Sequence, residues 1–132
     1  MEDSIFTKII TGAIPSHKVY EDALTVAFLD IHPVQSGHVL VVPKKQMDHF
    51  DDLPDEDYQA VWQTVKKIAK AQKKAFNPDR VGVQVVGLDV PHAHIHVIPF
   101  NSLDEYRNVP NMNAEPNHEE LAVVANKIKE CL

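Results

Sequence analysis

One cysteine in 132 residues, Cys131 beside the C-terminus, excludes an intrachain disulfide and a thiolate metal cluster. A reducing cytoplasm is the compartment such a chain is expected to occupy. Nothing approaches the ~18 consecutive apolar residues of a membrane span. The opening stretch MEDSIFTKIITGAIP lacks the basic start and apolar run of a secretory leader. Positive charge is also short: 13 Lys and Arg stand against 19 Asp and Glu, a formal net charge of −6. That balance speaks against nucleic acid as a partner and leaves an anionic small ligand only a local, hydrogen-bonding pocket. Repeats and low-complexity tracts are absent, and 44% hydrophobic with 24% charged residues describes a folded globular chain rather than a disordered one. At this length one domain, residues 1–132, is expected.

What is present reads as an α+β fold. Ser4 can cap a short helix with Ile5, Ile9 and Ile10 on one face, stopped by Gly12 and Pro15. Three β-branched runs, 17–21, 24–31 and 38–43, are separated by turn-forming residues and predict an antiparallel meander, with Gly37 in its second turn. From residue 53 to 76 the apolar period changes to i, i+3, i+4, through Tyr58, Val61, Trp62, Val65, Ile68, Ala69 and Phe76. Acidic residues 55–57 open this long helix, and five lysines gather toward its end, complementing the helix dipole; Asn77-Pro78 stops it. Residues 80–86 and 92–99 predict two more strands, 101–117 a loop, and Leu121, Val124, Ala125 and Ile128 a closing helix capped by Asn117. The sum is an antiparallel sheet of about five strands with one long helix packed on it and short helices at both ends.

The chemistry sits in PHAHIHVIPF, residues 91–100. On a strand, residues two apart share a face and lie about 6.6 Å apart, so His92, His94 and His96 point one way while Ala93, Ile95 and Val97 point the other. Three readings compete. The histidines are structural, although burying three imidazoles leaves up to six ring nitrogens in need of partners. They bind a metal, with His92 and His94 as ligands and His32, His38, His49 or Asp89 as a third. They are catalytic, because a neutral imidazole can attack phosphorus through one nitrogen while the other donates to a fixed acceptor.

HAHIHVI, residues 92–98, is similar to the His-φ-His-φ-His-φ-φ signature of the histidine triad superfamily of nucleotide hydrolases and transferases. The segment from Ser4 to Lys45 resembles that family's N-terminal half, so the likeness covers about residues 4–100 and leaves 101–132 as a C-terminal loop and helix. The resemblance implies that His94 is the nucleophile, attacking the α-phosphorus of a purine nucleotide to form a nucleotidyl-histidine that water then cleaves. It implies that His96 contacts phosphate or leaving-group oxygens and that His92 orients the nucleophilic ring through its backbone carbonyl. Asp30 matches the acceptor for ribose hydroxyls, and Phe28, Ile31, Ile5, Phe6 and Ile9 match the apolar walls around the base. A homodimer is implied as well, with no cofactor, no nucleic acid and no membrane.

The departures from the family pattern concern two places. Many bacterial members have Cys-x-x-Cys where this chain has Ser4 and Thr7, and a histidine where it has Gln46; with the first triad histidine these bind a structural zinc. No metal is expected here. The phosphate loop of relatives, Asn-rich and ending in Gly-Gln-Ser or Gly-Gln-Thr, is shortened to Gly87-Leu88-Asp89-Val90, and the arginine that often follows the triad's proline is Phe100. Asp89 faces the phosphate position and repels it unless protonated or turned away. The expected activity is hydrolysis of purine nucleoside phosphoramidates or dinucleoside polyphosphates at the α-phosphate. The alternatives are a non-catalytic purine-nucleotide-binding module, motivated by Asp89, and a divalent-metal-binding protein.

Overall fold

The structure, a computed structural model, describes residues 2–132. Helix α1, Ile5–Ile10, starts at Ser4, whose hydroxyl accepts the Thr7 N–H at 3.0 Å. Strands β1, Lys18–Glu21, and β2, Thr25–Leu29, form a hairpin closed by Asp22, whose Oδ1 accepts from the N–H groups of Leu24 and Thr25. Strand β3, Val39–Pro43, follows. The long helix α2, Asp55–Phe76, has its three acids in the first turn and ends on Asn77, which takes the left-handed conformation at φ 49° that stops it. Strands β4, Arg80–Gln84, and β5, Ile95–Phe100, then form a second hairpin. Short helix α3, Leu103–Tyr106, and helix α4, His118–Lys129, complete the chain.

All pairings are antiparallel, in the order β1-β2-β3-β5-β4, so this is the expected α+β class with a five-stranded sheet. The second hairpin joins through β5, which pairs Leu40 with His96 at the centre of the sheet. Strands β2 and β3 are buried on both faces. Ala27, Leu29, Val39, Val41, Ile95 and Val97 pack on α2 and α4 through Val61, Val65, Ile68, Leu121 and Ile128. Val26, Phe28, Leu40 and Val42 pack on the opposite side against Phe6 of α1. This two-sided burial is why VAFL and VVP read as unbroken apolar runs.

Gln72, fully buried on α2, donates from Nε2 to the carbonyls of Gly37 at 2.8 Å and Val97 at 2.9 Å. One side chain thus ties the long helix to the residue before His38 and the residue after His96. Gly37 itself is at φ +93°, and a Cβ there would come within 2.6 Å of the Phe76 ring, so the turn needs glycine for both reasons.

Several boundaries and one short helix differ from the sequence reading. Strand β2 ends at Leu29, which leaves Asp30 and Ile31 in the following turn, and β4 ends at Gln84. The last strand begins at Ile95 rather than residue 92, because the Ala93 N–H donates to Met47 in the irregular segment after β3 and the ladder is not continued there. The expected 101–117 loop contains α3, where Ser102 accepts the Glu105 N–H and Glu105 accepts the Asn101 N–H. That reciprocal cap is a helix signal too short to show as apolar periodicity.

Candidate active site

The histidine row lies where β5 leaves its hairpin and passes under α1. His94 is 1% exposed, with the Phe6 ring against it at 4.9 Å between centroids. Its Nδ1 is 2.8 Å from the His92 carbonyl, which can only accept, so Nδ1 bears the proton and Nε2 keeps a lone pair. Among the described residues, that Nε2 has no hydrogen-bond partner. Asp89 Oδ1 lies 3.4 Å from it, but a carboxylate and an unprotonated imidazole nitrogen are both acceptors, and the pair becomes favourable only when His94 is charged.

Two further rings have their tautomers set by backbone groups. His92 Nε2 donates to the Pro43 carbonyl at 2.8 Å, which leaves Nδ1 to accept from Ser4 Oγ at 2.7 Å. His38 Nδ1 accepts the Val34 N–H at 3.0 Å, so its proton is on Nε2, 3.0 Å from His96 Nδ1. His96 therefore carries its own proton on Nε2. The His94 and His96 rings are 5.1 Å apart, one offering a lone pair and the other an N–H.

Burial disfavours the charged form of His38, His96 and His92. It pushes His38 down to about 3, with His96 beside it adding to the effect, and His96 down to about 4, helped by His94 and opposed by Asp89. His92 is also lowered, chiefly by burial, against the pull of its bond to Pro43. The carboxyl of Asp30 is raised, because burial outweighs the His32 N–H that its Oδ1 accepts at 2.9 Å.

The other residues named from the sequence fall into three groups. Phe28 and Phe6 are buried core residues in edge contact at 5.5 Å between centroids. Ile5 and Ile31 are 49% and 41% exposed, and Ile9 packs at the margin of the Phe6 cluster. Asp30 and Ile31 line a cavity of about 360 Å³ with His38, His32, Leu121 and Val124, which Ile5, Phe6, Ile9 and Phe28 do not reach. Asp89 is exposed at the end of its short loop. The sequence reading offered His38 only as a spare metal ligand. Its signal is a polar ring opening the apolar run HVLVVP, directly after a glycine turn.

The nitrogens that a metal reading through His92 and His94 would use are engaged in hydrogen bonds, save His94 Nε2. Both His92 nitrogens are committed, one to Pro43 and one to Ser4, and His94 turns Nδ1 to a carbonyl. His32 Nε2 is directed at the Ala114 carbonyl. His49 is exposed beside Asp48. A second set, Asp30, His38 and His96, brings three ligand-type atoms within 4.8 Å of one another. There the His38 Nε2–H donates to His96 Nδ1 at 3.0 Å, and Asp30 Oδ2 stands 3.7 Å from the same nitrogen. The four positions that the sequence resemblance assigned to a zinc site converge here as Ser4, Thr7, Gln46 and His92, joined to one another by hydrogen bonds. Two hydroxyls and an amide oxygen are a poor set for zinc, which takes sulfur, imidazole and carboxylate ligands.

Two outcomes follow. Chelator treatment is expected to leave the melting temperature of the protein unchanged; a fall of several degrees, equivalent to ~1 kcal/mol or more in a chain of this size, would reinstate a bound ion. Stability is expected to fall as pH drops from about 6.5 toward 4, because the unfolded chain protonates histidines 38 and 96 at ordinary values that the folded chain refuses. Asp30 has the opposite sign and offsets part of this loss at the acid end. Urea midpoints at pH 7.5 and 5 read the slope, and an equal or higher midpoint at pH 5 contradicts it.

Comparison with known proteins agrees with this architecture. Residues 11–103 match the HIT domain. The chain is 44% identical over 99 residues to an uncharacterised HIT-like protein of Methanocaldococcus jannaschii, covering 72% of this chain and 77% of that one. It is 40% identical over 96 residues to an adenosine 5′-monophosphoramidase of Schizosaccharomyces pombe, covering 72% of each. A crystal structure of a HIT-like protein from Bartonella henselae superposes with a TM-score of 0.86 at 38% identity, over 98% of this chain and 96% of that one. Nucleotide hydrolysis is an activity of proteins in this group. With a domain match across most of its length and relatives at this level of identity, the chain belongs to the histidine triad (HIT) family.

Proposed function

We propose that this protein hydrolyses purine nucleoside phosphoramidates or dinucleoside polyphosphates at the α-phosphate through a nucleotidyl-His94 intermediate. The observation that carries the reading is the buried His94 Nε2, an imidazole lone pair without a partner among the described residues while Nδ1–H is held by a carbonyl. Attack of Nε2 on phosphorus expels the amine or nucleotide, and positive charge developing on the ring is stabilised by the His92 carbonyl. His96, protonated on Nε2, is the donor on the leaving-group side. Water then cleaves the phosphorus–nitrogen bond and releases the nucleoside monophosphate.

Asp30 suits a ribose hydroxyl, since its Oδ1 is occupied by the His32 N–H and its Oδ2 has only His38 at 3.7 Å. Exposed Ile5 and Ile31 offer apolar surface to a base, and Ile9 packs against the cluster of Phe6 and Phe28. The free edge of β4 supports a homodimer by strand addition.

A second reading, nucleotide binding without turnover, is favoured by one feature. The Asp89 carboxylate stands 3.4 Å from His94 Nε2, the position that phosphorus must take. Turnover of adenosine 5′-phosphoramidate separates the two. Wild type is expected to release AMP and His94→Ala to lose about 10⁴-fold or more of that rate, with an adenylyl adduct in the intact mass of wild type only. Tight AMP binding with no hydrolysis of any α-phosphate substrate sinks the enzyme reading. Asp89→Asn is expected to lower KM about fivefold, the effect of ~1 kcal/mol from a largely exposed unit charge near a phosphate. A raised KM would give Asp89 a role in binding instead.

A further inference from the structure

We propose that Ser4 is a positioning residue for the candidate nucleophile, acting through His92, and that the hydrogen-bond cluster of Ser4, Thr7 and Gln46 ties α1 to the histidine row. This rests on the reading of His94 as nucleophile.

The donor count leaves one arrangement. Gln46 turns its amide nitrogen outward to the Glu2 carbonyl at 2.9 Å, which points its oxygen inward. That oxygen accepts the Ser4 N–H at 2.9 Å and the Thr7 hydroxyl at 2.7 Å. Ser4 Oγ accepts the Thr7 N–H at 3.0 Å and has one proton to give. Two acceptors lie in reach, His92 Nδ1 at 2.7 Å and Thr7 Oγ1 at 3.3 Å, and the shorter contact takes it. His92 cannot donate in return, since its single proton faces the Pro43 carbonyl.

The His92 ring is therefore held at both nitrogens, by α1 on one side and by the end of β3 on the other. It is completely buried, and Ser4 is 5% exposed, so water has little access to replace the hydroxyl. The carbonyl of the same residue receives His94 Nδ1–H. Freeing the ring frees the peptide that orients the nucleophile. A small misplacement of a reacting group is costly even when the mutated residue never touches the substrate. An outer partner that fixes the tautomer of a functional histidine acts in this way in metal sites too.

The test compares wild type, Ser4→Ala and Ser4→Thr, which keeps a hydroxyl, by two readouts. Nitrogen NMR of the ring signals is expected to show opposite tautomers in wild type, with the proton on Nε2 of His92 and on Nδ1 of His94. In Ser4→Ala the His92 Nδ1 signal is expected to shift as it loses its donor, while the Pro43 carbonyl keeps the proton on Nε2. Its kcat for adenosine 5′-phosphoramidate is expected to fall about tenfold with KM nearly unchanged, and Ser4→Thr to recover both. A His92 proton on Nδ1 in wild type overturns the proposal, and so does Ser4→Ala with wild-type kcat and an unshifted His92 Nδ1 signal. A loss of kcat that leaves the His92 Nδ1 signal unchanged, or that Ser4→Thr does not recover, also overturns it, because the hydroxyl would then act only by packing. If Ser4→Ala does not fold, the wild-type tautomers decide. If wild type turns over no nucleotide, the proposed activity fails while the tautomers still test the role of Ser4.

Discussion

The hydrogen bond from His94 Nδ1 to the His92 carbonyl is the interaction on which the site depends. It places the proton on one side of the ring and the lone pair on the other, and it does so inside a buried environment where an isolated polar group would be costly. Strand β5 begins only at Ile95, with Pro91 ahead of the row and the Ala93 N–H bonded to Met47.

The surrounding fold accommodates four imidazoles by giving each one proton and a defined acceptor or donor. His92 is bounded by Pro43 and Ser4, and His38 by Val34 and His96. The sheet separates this polar layer from the main apolar core. Ala93, Ile95 and Val97 enter the core beneath α2 and α4, and Phe6 of α1 covers the other side. Gln72 reaches through that core to pin the carbonyls flanking His38 and His96, leaving its own Oε1 without a partner among the described residues. An unsatisfied buried atom in such a place is the kind of local cost expected beside a functional site. Asp89, on the shortened loop, is the one anionic group placed against the unpaired nitrogen.

Much of the architecture was legible because its signals are local. The apolar period of α2, its acidic start and Asn77-Pro78 stop, and the β-branched runs of β1 to β5 predicted every strand and both long helices. The two-residue spacing of Ala93, Ile95 and Val97 assigned them to one core. Helix α3 was not legible, because a four-residue helix has no period to detect. Nor was the division among the apolar residues named for the base, since VAFL looks the same whether Phe28 faces a ligand or, as here, the Phe6 cluster.

The sequence by itself determined the elements and the row of histidines, since hydrophobic period, turn chemistry and residue spacing act between near neighbours. Tertiary structure alone decided which nitrogen of each ring holds a proton. That depends on partners far along the chain: Pro43, 49 residues from His92; His38, 58 residues from His96; and Ser4, 88 residues from His92. An imidazole has two nearly equivalent tautomers in isolation, and only a carbonyl or N–H brought against it by folding makes one of them the lower in energy.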